Sequence, residues 1–261
     1  MMSLFLPKEV GIRAKALVRM DMEKEYKRSA VAFLDILGFK SMVEESKKDE
    51  KQFTRILNAL RVMKLRKRGN NKEERQEGNV VSIFSDSIVI SYQEESLKQA
   101  LFDLIEDVMN IQNELLEYKI LCRGGIAVGK LYHSKSKVFG PALIKAYDLE
   151  KDKAKFPRVV LKQSSLEKCN HSDCKKTNYS ISDDRIMQYL CKDEKDSSLL
   201  YIDYLHQYIP KFTRDYKENV DKCIEEGLKG NDLCVLEKFK WLKEYWEGPD
   251  TFKDTIQNPD N

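Results

Sequence analysis

The chain has 261 residues, of which 41% are hydrophobic, and its 46 lysines and arginines nearly balance its 43 aspartates and glutamates. This length and apolar content allow one main core with a smaller extension. No run of about 18 apolar residues occurs and basic residues alternate with acidic ones, so we expect neither a membrane span nor a nucleic-acid-binding surface.

The N-terminal segment and the cysteines predict a cytoplasmic protein. Residues 1–6 are followed by Pro7 and charged residues, and they lack the basic start, long apolar stretch and cleavage site of a signal peptide. The six cysteines are scattered through a chain too large to need disulfides, so reduced thiols are expected. The segment from Cys169 to Cys174 is either a polar loop or, with Cys191, part of a zinc site.

The first predicted element is a strand over residues 29–37, whose near-continuous apolar run is typical of a strand buried on both faces. A turn at Gly38 leads into an amphipathic helix that we expect to continue to about Met63. The sequence from 64 to 78 is charged and predicts an exposed loop. Two β-rich runs then flank Ser85-Asp86, which predicts a tight hairpin.

Ser96 is predicted to cap the next helix, whose apolar residues repeat every three or four positions. Residues 120–132 follow as a strand with three glycines, at which another backbone or a ligand approaches closely. Gly140-Pro141 then opens a helix that extends to about Asp152. Residues 157–161 are predicted to form a further strand.

This order of elements, β-α-β-β-α-β-α-β, contains a ferredoxin-like βαββαβ core and predicts an α+β fold with helices packed on a sheet. We expect one domain over residues 28–163. Residues 164–261 are more polar at first and then carry two helical patterns. We therefore predict a mainly helical C-terminal extension, packed on the core or on a partner subunit, with a disordered tail after Gly248.

Two aspartates lie at predicted turns beside apolar strand residues. Asp35 follows the run Val31-Ala32-Phe33-Leu34, and Asp86 belongs to the predicted hairpin. A carboxylate in such an apolar setting is unfavourable by several kcal/mol unless its charge is compensated, and two carboxylates brought together repel unless a cation lies between them. The pair therefore indicates a metal site. The alternative for each residue is an ordinary turn or helix-capping aspartate.

Four segments of the chain resemble the class III nucleotidyl cyclases and occur in the family's order. Residues Phe33–Phe39 resemble its F-x-D-I-x-G-F segment, and Ser85-Asp86 stands where the family usually has Gly-Asp in a hairpin. Residues Arg123–Gly129 resemble its R-x-G-I-x-x-G strand, and Phe139–Ala142 resemble the Y/F-G-x-A start of its following helix. The resemblance covers about residues 29–162.

The resemblance implies that residues 28–163 are a nucleotidyl cyclase catalytic domain with two divalent ions, Mn²⁺ or Mg²⁺. Asp35 and Asp86 would be the catalytic residues and metal ligands, and Ile36 would add its backbone carbonyl. One ion would lower the pKa of the ribose 3′-hydroxyl, and the other would hold the triphosphate. The residues that would bind the nucleotide, in part through free N–H groups at the Gly38 turn, are Phe33, Leu37, Gly38, Phe39, Ser82, Arg123 and Lys137.

The helix after the glycine turn departs from the pattern of the purine cyclases. Those enzymes usually carry an Asn and, four residues later, an Arg, which orient ribose and stabilise phosphate charge, whereas this chain has Ile144 and Asp148. Neither Ile144 nor Asp148 can orient ribose or stabilise phosphate charge in this way, so other cations must stabilise that charge. Arg123, Lys145 and Arg158 are the candidates, and an ordinary salt bridge is the alternative for each.

The positions that read a purine base differ as well. Ser82 stands where adenylate cyclases have Lys and guanylate cyclases Glu, and Lys137 stands where adenylate cyclases have Asp. A site that lacks matched donors and acceptors loses discrimination for that base. These departures resemble the bacterial pyrimidine cyclases of Pycsar antiphage systems, which lack the standard Asn/Arg pair and the purine-selecting residues.

That resemblance implies synthesis of 3′,5′-cyclic CMP or cyclic UMP, plus diphosphate, from CTP or UTP. The product would activate a separate effector protein. The resemblance also implies a homodimer with its sites at the interface. Two alternatives remain: a purine cyclase with unconventional base contacts, and a degenerate module that binds a nucleotide for signalling without turnover.

Overall fold

The computed structural model describes residues 25–64, 79–93, 96–172, 182–206 and 214–248. The loop predicted over 64–78 lies outside these ranges beyond its first residue, as does the tail after Gly248. Cys174, a member of the suggested zinc cluster, is also outside them. Cys169 is fully buried, with its thiol beside the backbone carbonyl of Leu97.

The described residues form one eight-stranded sheet. Its strands run in the spatial order β2-β3-β1-β4-β6-β8-β7, and β5 pairs with the end of β4. The strands are β1 (Lys27–Ile36), β2 (Asn79–Phe84), β3 (Ser87–Tyr92), β4 (Cys122–His133), β5 (Val138–Phe139), β6 (Val159–Lys162), β7 (Leu190–Lys192) and β8 (Leu199–Ile202).

Eight helices are present in the same described ranges. They are α1 (Phe39–Ser46), α2 (Glu50–Lys64), α3 (Leu97–Glu117), α4 (Pro141–Lys153), α5 (Ser164–Ser172), α6 (Asp183–Met187), α7 (Arg214–Leu228) and α8 (Leu233–Trp246). The predicted cap of α3 is confirmed, because the Ser96 hydroxyl accepts a hydrogen bond from the backbone N–H of Gln99 at 3.2 Å.

The first four strands confirm the predicted ferredoxin-like core. β1 lies between β3 and β4 and is antiparallel to both, and β2 completes the order as the antiparallel neighbour of β3. The helices α1 and α2 connect β1 to β2, and α3 connects β3 to β4. This is the βαββαβ arrangement, so the α+β fold class is confirmed.

The extension contributes strands as well as helices. β6, the last strand of the predicted core, is parallel to β4, and β8 and β7 of the extension continue the sheet as antiparallel neighbours. The sheet therefore crosses residue 163, where the sequence predicts the boundary between core and extension. Pairing with β8 satisfies the outer backbone groups of β6, which would otherwise form an open sheet edge. The helices α7 and α8 supply the predicted helical part.

The two faces of the sheet are covered differently. α3 lies on one face, where β1 contributes Ala30, Ala32, Leu34 and Ile36 to the main core. α4 lies on the opposite face, which we call the open face because α4 covers only part of it. Val31 and Phe33 point to that side, as the two-residue period of a strand requires.

Gly125 of β4 allows α4 to approach the sheet closely. A Cβ atom at this position would lie 2.2 Å from the carbonyl oxygen of Ala146 and 2.7 Å from the Cβ of Leu149. Any larger residue would therefore push the helix away from β4. The glycine strand predicted from the sequence is a packing surface for α4.

Candidate functional site

The end of β1 places Asp35 on the open face. Alternation along the strand puts Asp35 on the same side as Val31 and Phe33, and it pairs with Ser87 of β3 and Arg123 of β4. Its side chain retains 23% exposure. The carboxylate is thus held by a buried strand but stays open to a ligand.

The β2–β3 hairpin brings Asp86 to the same place. Its turn consists of Ser85 and Asp86, as predicted, and the backbone N–H of Ile36 donates to the carbonyl of Asp86 at 3.0 Å. Ser85 has a φ of 58°, in the left-handed region that glycine adopts most easily, and it stands where the sequence resemblance leads one to expect a glycine. The hairpin therefore keeps the glycine-like backbone without the glycine.

The two carboxylates interact electrostatically. Burial raises the pKa of Asp35, the Arg123 guanidinium opposes this increase, and the charge of Asp86 raises the pKa further. Asp35 is thus a carboxylate whose negative charge is incompletely compensated. A divalent cation with oxygen ligands would relieve that state.

Arg123 links β1 to α4. Its Nε lies 3.4 Å from Oδ2 of Asp35, and its Nη2 lies 2.7 Å from Oε1 of Glu150. The second contact is a close ion pair with a carboxylate whose side chain is only 6% exposed. Burial raises the pKa of Glu150, against the lowering effect of Arg123, and the charges of Asp35 and Asp152 raise it further.

Sequence reasoning did not identify Glu150, although its side chain is only 6% exposed. The available signal was an acidic residue on the buried side of a predicted helix, which suggests a buried charge with a partner. Finding that partner requires the packing of α4 on β4.

The turn after β1 retains part of its predicted anion-binding geometry. Gly38 has a φ of 75° and directly precedes α1, which begins at Phe39. The backbone N–H of Leu37, however, donates to the carbonyl of Leu121 at 2.9 Å. The prediction that the Leu37 amide is free to hold a phosphate is therefore wrong, and the amides of Gly38 and Phe39 remain for that purpose.

Ser82 and Lys137, the two predicted base-reading residues, have different surroundings. Ser82 faces the open side of β2, and its hydroxyl lies 2.9 Å from Nε2 of His133. Lys137 is exposed in the β4–β5 turn, where its carbonyl accepts the backbone N–H of Ser134 at 2.8 Å. Sequence reasoning did not identify His133.

The three side chains suggested as substitutes for the arginine of the purine cyclases differ in their surroundings. Arg123 lies beside Asp35, as described above. Lys145 is exposed on α4, where Ile144 is 62% exposed and Asp148 is also exposed. Arg158 is buried, and its Nη2 lies 2.5 Å from Oδ2 of Asp193, so its guanidinium is already paired with a carboxylate other than Asp35 and Asp86.

The open face also carries exposed apolar side chains around the site. Phe84 lies in the same cross-strand row as Ser87 and Asp35 and is 54% exposed. Tyr147 of α4 is 44% exposed and packs edge-on against Phe33, with ring centroids 5.3 Å apart. Such a cluster of exposed apolar groups is typical of a surface that another molecule covers.

The side chains of one copy of the protein do not by themselves complete the coordination of a divalent cation. In the described ranges no three His, Cys, Asp or Glu side chains form a cluster able to hold a metal ion. Asp35 and Asp86 offer two carboxylates, and Ile36 offers a backbone carbonyl. Mg²⁺ and Mn²⁺ commonly complete such a set with substrate phosphates and water. The residues therefore fit a metal bound together with a nucleotide.

Among the described helices, none combines the length and apolar character needed to cross a bilayer. No family model matches the chain, and no curated protein matches it.

Two solved structures are similar to this chain at a low level. One is an adenylate/guanylate cyclase/hydrolase from Silicibacter pomeroyi, with 14% identity and a TM-score of 0.37, covering 68% of this chain and 95% of that one. The other is a class III adenylyl cyclase-like ATP-binding protein from Pseudomonas aeruginosa, with 11% identity and a TM-score of 0.35, covering 95% of this chain and 54% of that one. At this level of similarity neither structure bears on the activity of this chain.

Proposed function

We propose that this protein is a pyrimidine nucleotide cyclase, which makes 3′,5′-cyclic CMP or cyclic UMP and diphosphate from CTP or UTP. The observation that carries the proposal is the juxtaposition of Asp35 and Asp86 at the ends of neighbouring strands. These two carboxylates lie on an open sheet face, and the pKa of Asp35 is raised by burial and by the charge of Asp86. A structural ion pair would instead lower that pKa.

In the proposed reaction the ribose 3′-hydroxyl attacks the α-phosphorus of the same nucleotide and diphosphate leaves. Asp35 and Asp86, with the Ile36 carbonyl, would hold two Mn²⁺ or Mg²⁺ ions. Bound there, the ions would supply a lowered pKa of the 3′-hydroxyl and neutralisation of the triphosphate charge. The amides of Gly38 and Phe39 would donate to phosphate oxygens at the start of α1.

Arg123 is the cation of this chain best placed to act near the two aspartates. It is 27% exposed and already divides its guanidinium between Asp35 and Glu150. When Asp35 binds a metal, Arg123 would be free to contact a phosphate oxygen while Glu150 keeps it in position. This arrangement would replace the charge that purine cyclases place where this chain has Asp148.

The preference for a pyrimidine rests on two positions. Ser82 is a short hydroxyl side chain on the open face, where purine cyclases carry Lys or Glu. Ile144 is exposed and apolar where they carry the Asn that orients ribose. The resemblance to the Pycsar cyclases further supports a role in antiphage defence, with a separate effector protein that binds the cyclic nucleotide.

We further propose that two copies of the chain pair through their open faces. The exposed side chains of Phe84, Ile144 and Tyr147 surround the site and would be removed from water in a homodimer. In this proposal residues 28–163 are the catalytic domain of each copy and residues 164–261 are its extension. Sedimentation of the wild-type chain and of Phe84→Ser tests this pairing, and a monomeric wild-type protein would contradict it.

Incubation of the purified protein with each of the four nucleoside triphosphates and Mn²⁺ tests the proposed activity. We expect cyclic CMP or cyclic UMP, identified by mass, and an equal amount of diphosphate. Cyclic AMP or cyclic GMP alone would establish a purine cyclase instead. Tight nucleotide binding in calorimetry without release of diphosphate would establish a binding module, which the absence of the Asn/Arg pair favours.

A further inference from the structure

His133 is held between two serine hydroxyls on the open face of the sheet. Its Nδ1 lies 2.8 Å from the hydroxyl of Ser91, and its Nε2 lies 2.9 Å from the hydroxyl of Ser82. Ser91 is fully buried and His133 is 7% exposed, whereas Ser82 is only half-buried. The three residues form a chain that leads from the interior to the surface of the sheet.

The hydrogen-bond requirements of this chain select one tautomer of His133. A neutral imidazole has one N–H donor and one nitrogen acceptor. Burial lowers the pKa of His133 to about 4, so the ring is neutral at neutral pH. Ser91 has no other hydrogen-bond partner for its side chain in the described ranges, and a buried hydroxyl without an acceptor is unfavourable. The Ser91 O–H therefore donates to Nδ1.

This assignment fixes the role of Ser82. With Nδ1 acting as the acceptor, Nε2 carries the proton and donates it to the Ser82 oxygen. The Ser82 hydroxyl proton then has no described acceptor and remains available for a ligand. Ser82 lies in the same cross-strand row as Val89 and Phe33. On the open face this row is adjacent to the row that contains Asp35.

We propose that Ser91 and His133 position Ser82 as a hydrogen-bond donor toward the nucleobase, so that the site selects a base atom that accepts a hydrogen bond. This inference rests on the proposed cyclase function. Ser82 is the residue that contacts the base, and His133 is a positioning residue that acts through it. The matching base atom is a carbonyl oxygen or an unprotonated ring nitrogen.

Such a donor distinguishes the two pyrimidines. At position 4 uracil presents a carbonyl acceptor and cytosine an amino donor, and at ring nitrogen 3 the two are reversed. A hydroxyl whose proton faces either position favours the base that presents an acceptor there, because the other base can bond to it only if the hydroxyl turns its remaining lone pair toward the ligand. The chain from Ser91 thus gives a short, neutral side chain the polarity that it needs to select a base.

The tautomer is measured directly by long-range proton–nitrogen NMR correlation on the full chain at neutral pH. The chain has only three histidines, so His133→Gln assigns the resonance of interest. We expect a neutral ring with its proton on Nε2. A proton on Nδ1, or a charged ring at neutral pH, overturns the proposal.

The role in base selection is measured as the ratio of kcat/KM for CTP and UTP. Ser82→Ala should lower kcat/KM for the preferred nucleotide about tenfold, as expected for one lost hydrogen bond, and should leave the other nucleotide within about threefold. Ser82→Thr retains the hydroxyl and should retain the ratio.

His133→Phe removes both ring nitrogens and should reduce the ratio as Ser82→Ala does. His133→Gln should restore much of it, because its amide can accept from Ser91 and donate to Ser82. A merely structural role for His133 would lower activity with both nucleotides equally, and that result overturns the proposal.

Failure of this inference is distinguishable from failure of the proposed function. If the protein forms a cyclic pyrimidine nucleotide but Ser82→Ala leaves the ratio unchanged, only the role of the serine–histidine chain is wrong. If no nucleotide is cyclised, the proposed function and the role of Ser82 in base selection are both wrong. The NMR experiment still decides the tautomer of His133.

Discussion

Arg123 and Arg158 are neighbours in the sheet with contrasting surroundings. Arg158 directly precedes β6, and its carbonyl accepts the backbone N–H of Gly124 at 3.2 Å, one residue after Arg123. Arg158 is 8% exposed, is paired with Asp193, and has its guanidinium carbon 5.1 to 5.6 Å from the ring centroids of Phe156, Tyr201 and Trp241.

Arg123 has fewer and looser contacts. It divides its charge between Asp35 and Glu150, and the carboxyl pKa is raised at both partners. At Arg158 the partner is Asp193, whose pKa is lowered: burial opposes the change, but the amides of Lys195 and Asp196 and then Arg158 itself outweigh it. An ion pair that stabilises the fold lowers the pKa of its carboxyl group, whereas the region around Arg123 remains short of positive charge.

The strongest test of this contrast removes the charges that we assign to metal binding. Asp35→Asn and Asp86→Asn should each reduce turnover at least about 1,000-fold, because metal coordination contributes several kcal/mol to transition-state stabilisation. The circular dichroism spectrum should be unchanged. Asp184→Asn, on an exposed residue of α6, is the matched control and should keep full activity. Near-normal turnover in either site variant would remove that aspartate from the mechanism.

Replacing each arginine by methionine separates a structural role from a functional one. Arg158→Met should lower the free energy of unfolding by about 3 kcal/mol, since it leaves Asp193 without its buried partner. Arg123→Met should lower it by about 1 kcal/mol, because Glu150 can take up a proton, but should reduce kcat about 10- to 100-fold through loss of a charged contact. Urea unfolding and initial rates measure the two effects. Equal loss of stability in both variants would contradict the contrast.

Two glycines of β4 allow a finer test of the region around Arg123. Gly125→Ala should destabilise the protein by about 1 to 3 kcal/mol, because its methyl group would overlap the backbone of α4. The same displacement would move Glu150 away from Arg123, so activity should fall as well. Gly129→Ala is the control, since its Cβ would lie 3.5 Å from the Cβ of Ala142, an ordinary contact. If the two variants unfold at the same urea concentration, α4 does not depend on Gly125.

The sequence was sufficient to predict the strand that carries Asp35 and the hairpin that carries Asp86. Both signals are local, because an apolar run and a polar dipeptide between β-rich segments specify their structure without reference to the rest of the chain. The predicted cap of α3 at Ser96 and the predicted span of α4 from Gly140-Pro141 to about Asp152 have the same origin. The ferredoxin-like order then followed from the sequence of elements.

The contacts around these residues could not be predicted in the same way. The partnership of Arg123 with Glu150 depends on how α4 packs on β4, and that of Ser82 with His133 depends on where the far end of β4 lies over β2 and β3. The strands β7 and β8 are three and four residues long, too short for a periodic signal. Pairing between distant segments decides all of these features.

The smallest expected effect is a difference in sign. An Asp→Asn substitution should destabilise the protein beside Arg158 and slightly stabilise it beside Arg123. The pKa of Asp193 is lowered in the folded state, so its ionised form stabilises the fold above the unfolded pKa, and this stability is lost as the pH falls through the folded pKa. Asp193→Asn should therefore destabilise the protein at neutral pH by about 1 kcal/mol or more. The loss should diminish in acid.

Asp35 should behave in the opposite way. Its pKa is raised, so the stability that it contributes is present below the unfolded pKa and is lost as the pH rises through the folded pKa. Asp35→Asn should then raise the melting temperature slightly at neutral pH in the presence of a chelator. Adding Mn²⁺ with a pyrimidine triphosphate should stabilise the wild-type protein and not the variant, because ligand binding favours the folded state only where the carboxylate is present. A lower melting temperature for Asp35→Asn in chelator would show that Asp35 is held by Arg123 as firmly as Asp193 is by Arg158, and the two arginines would then have the same structural role.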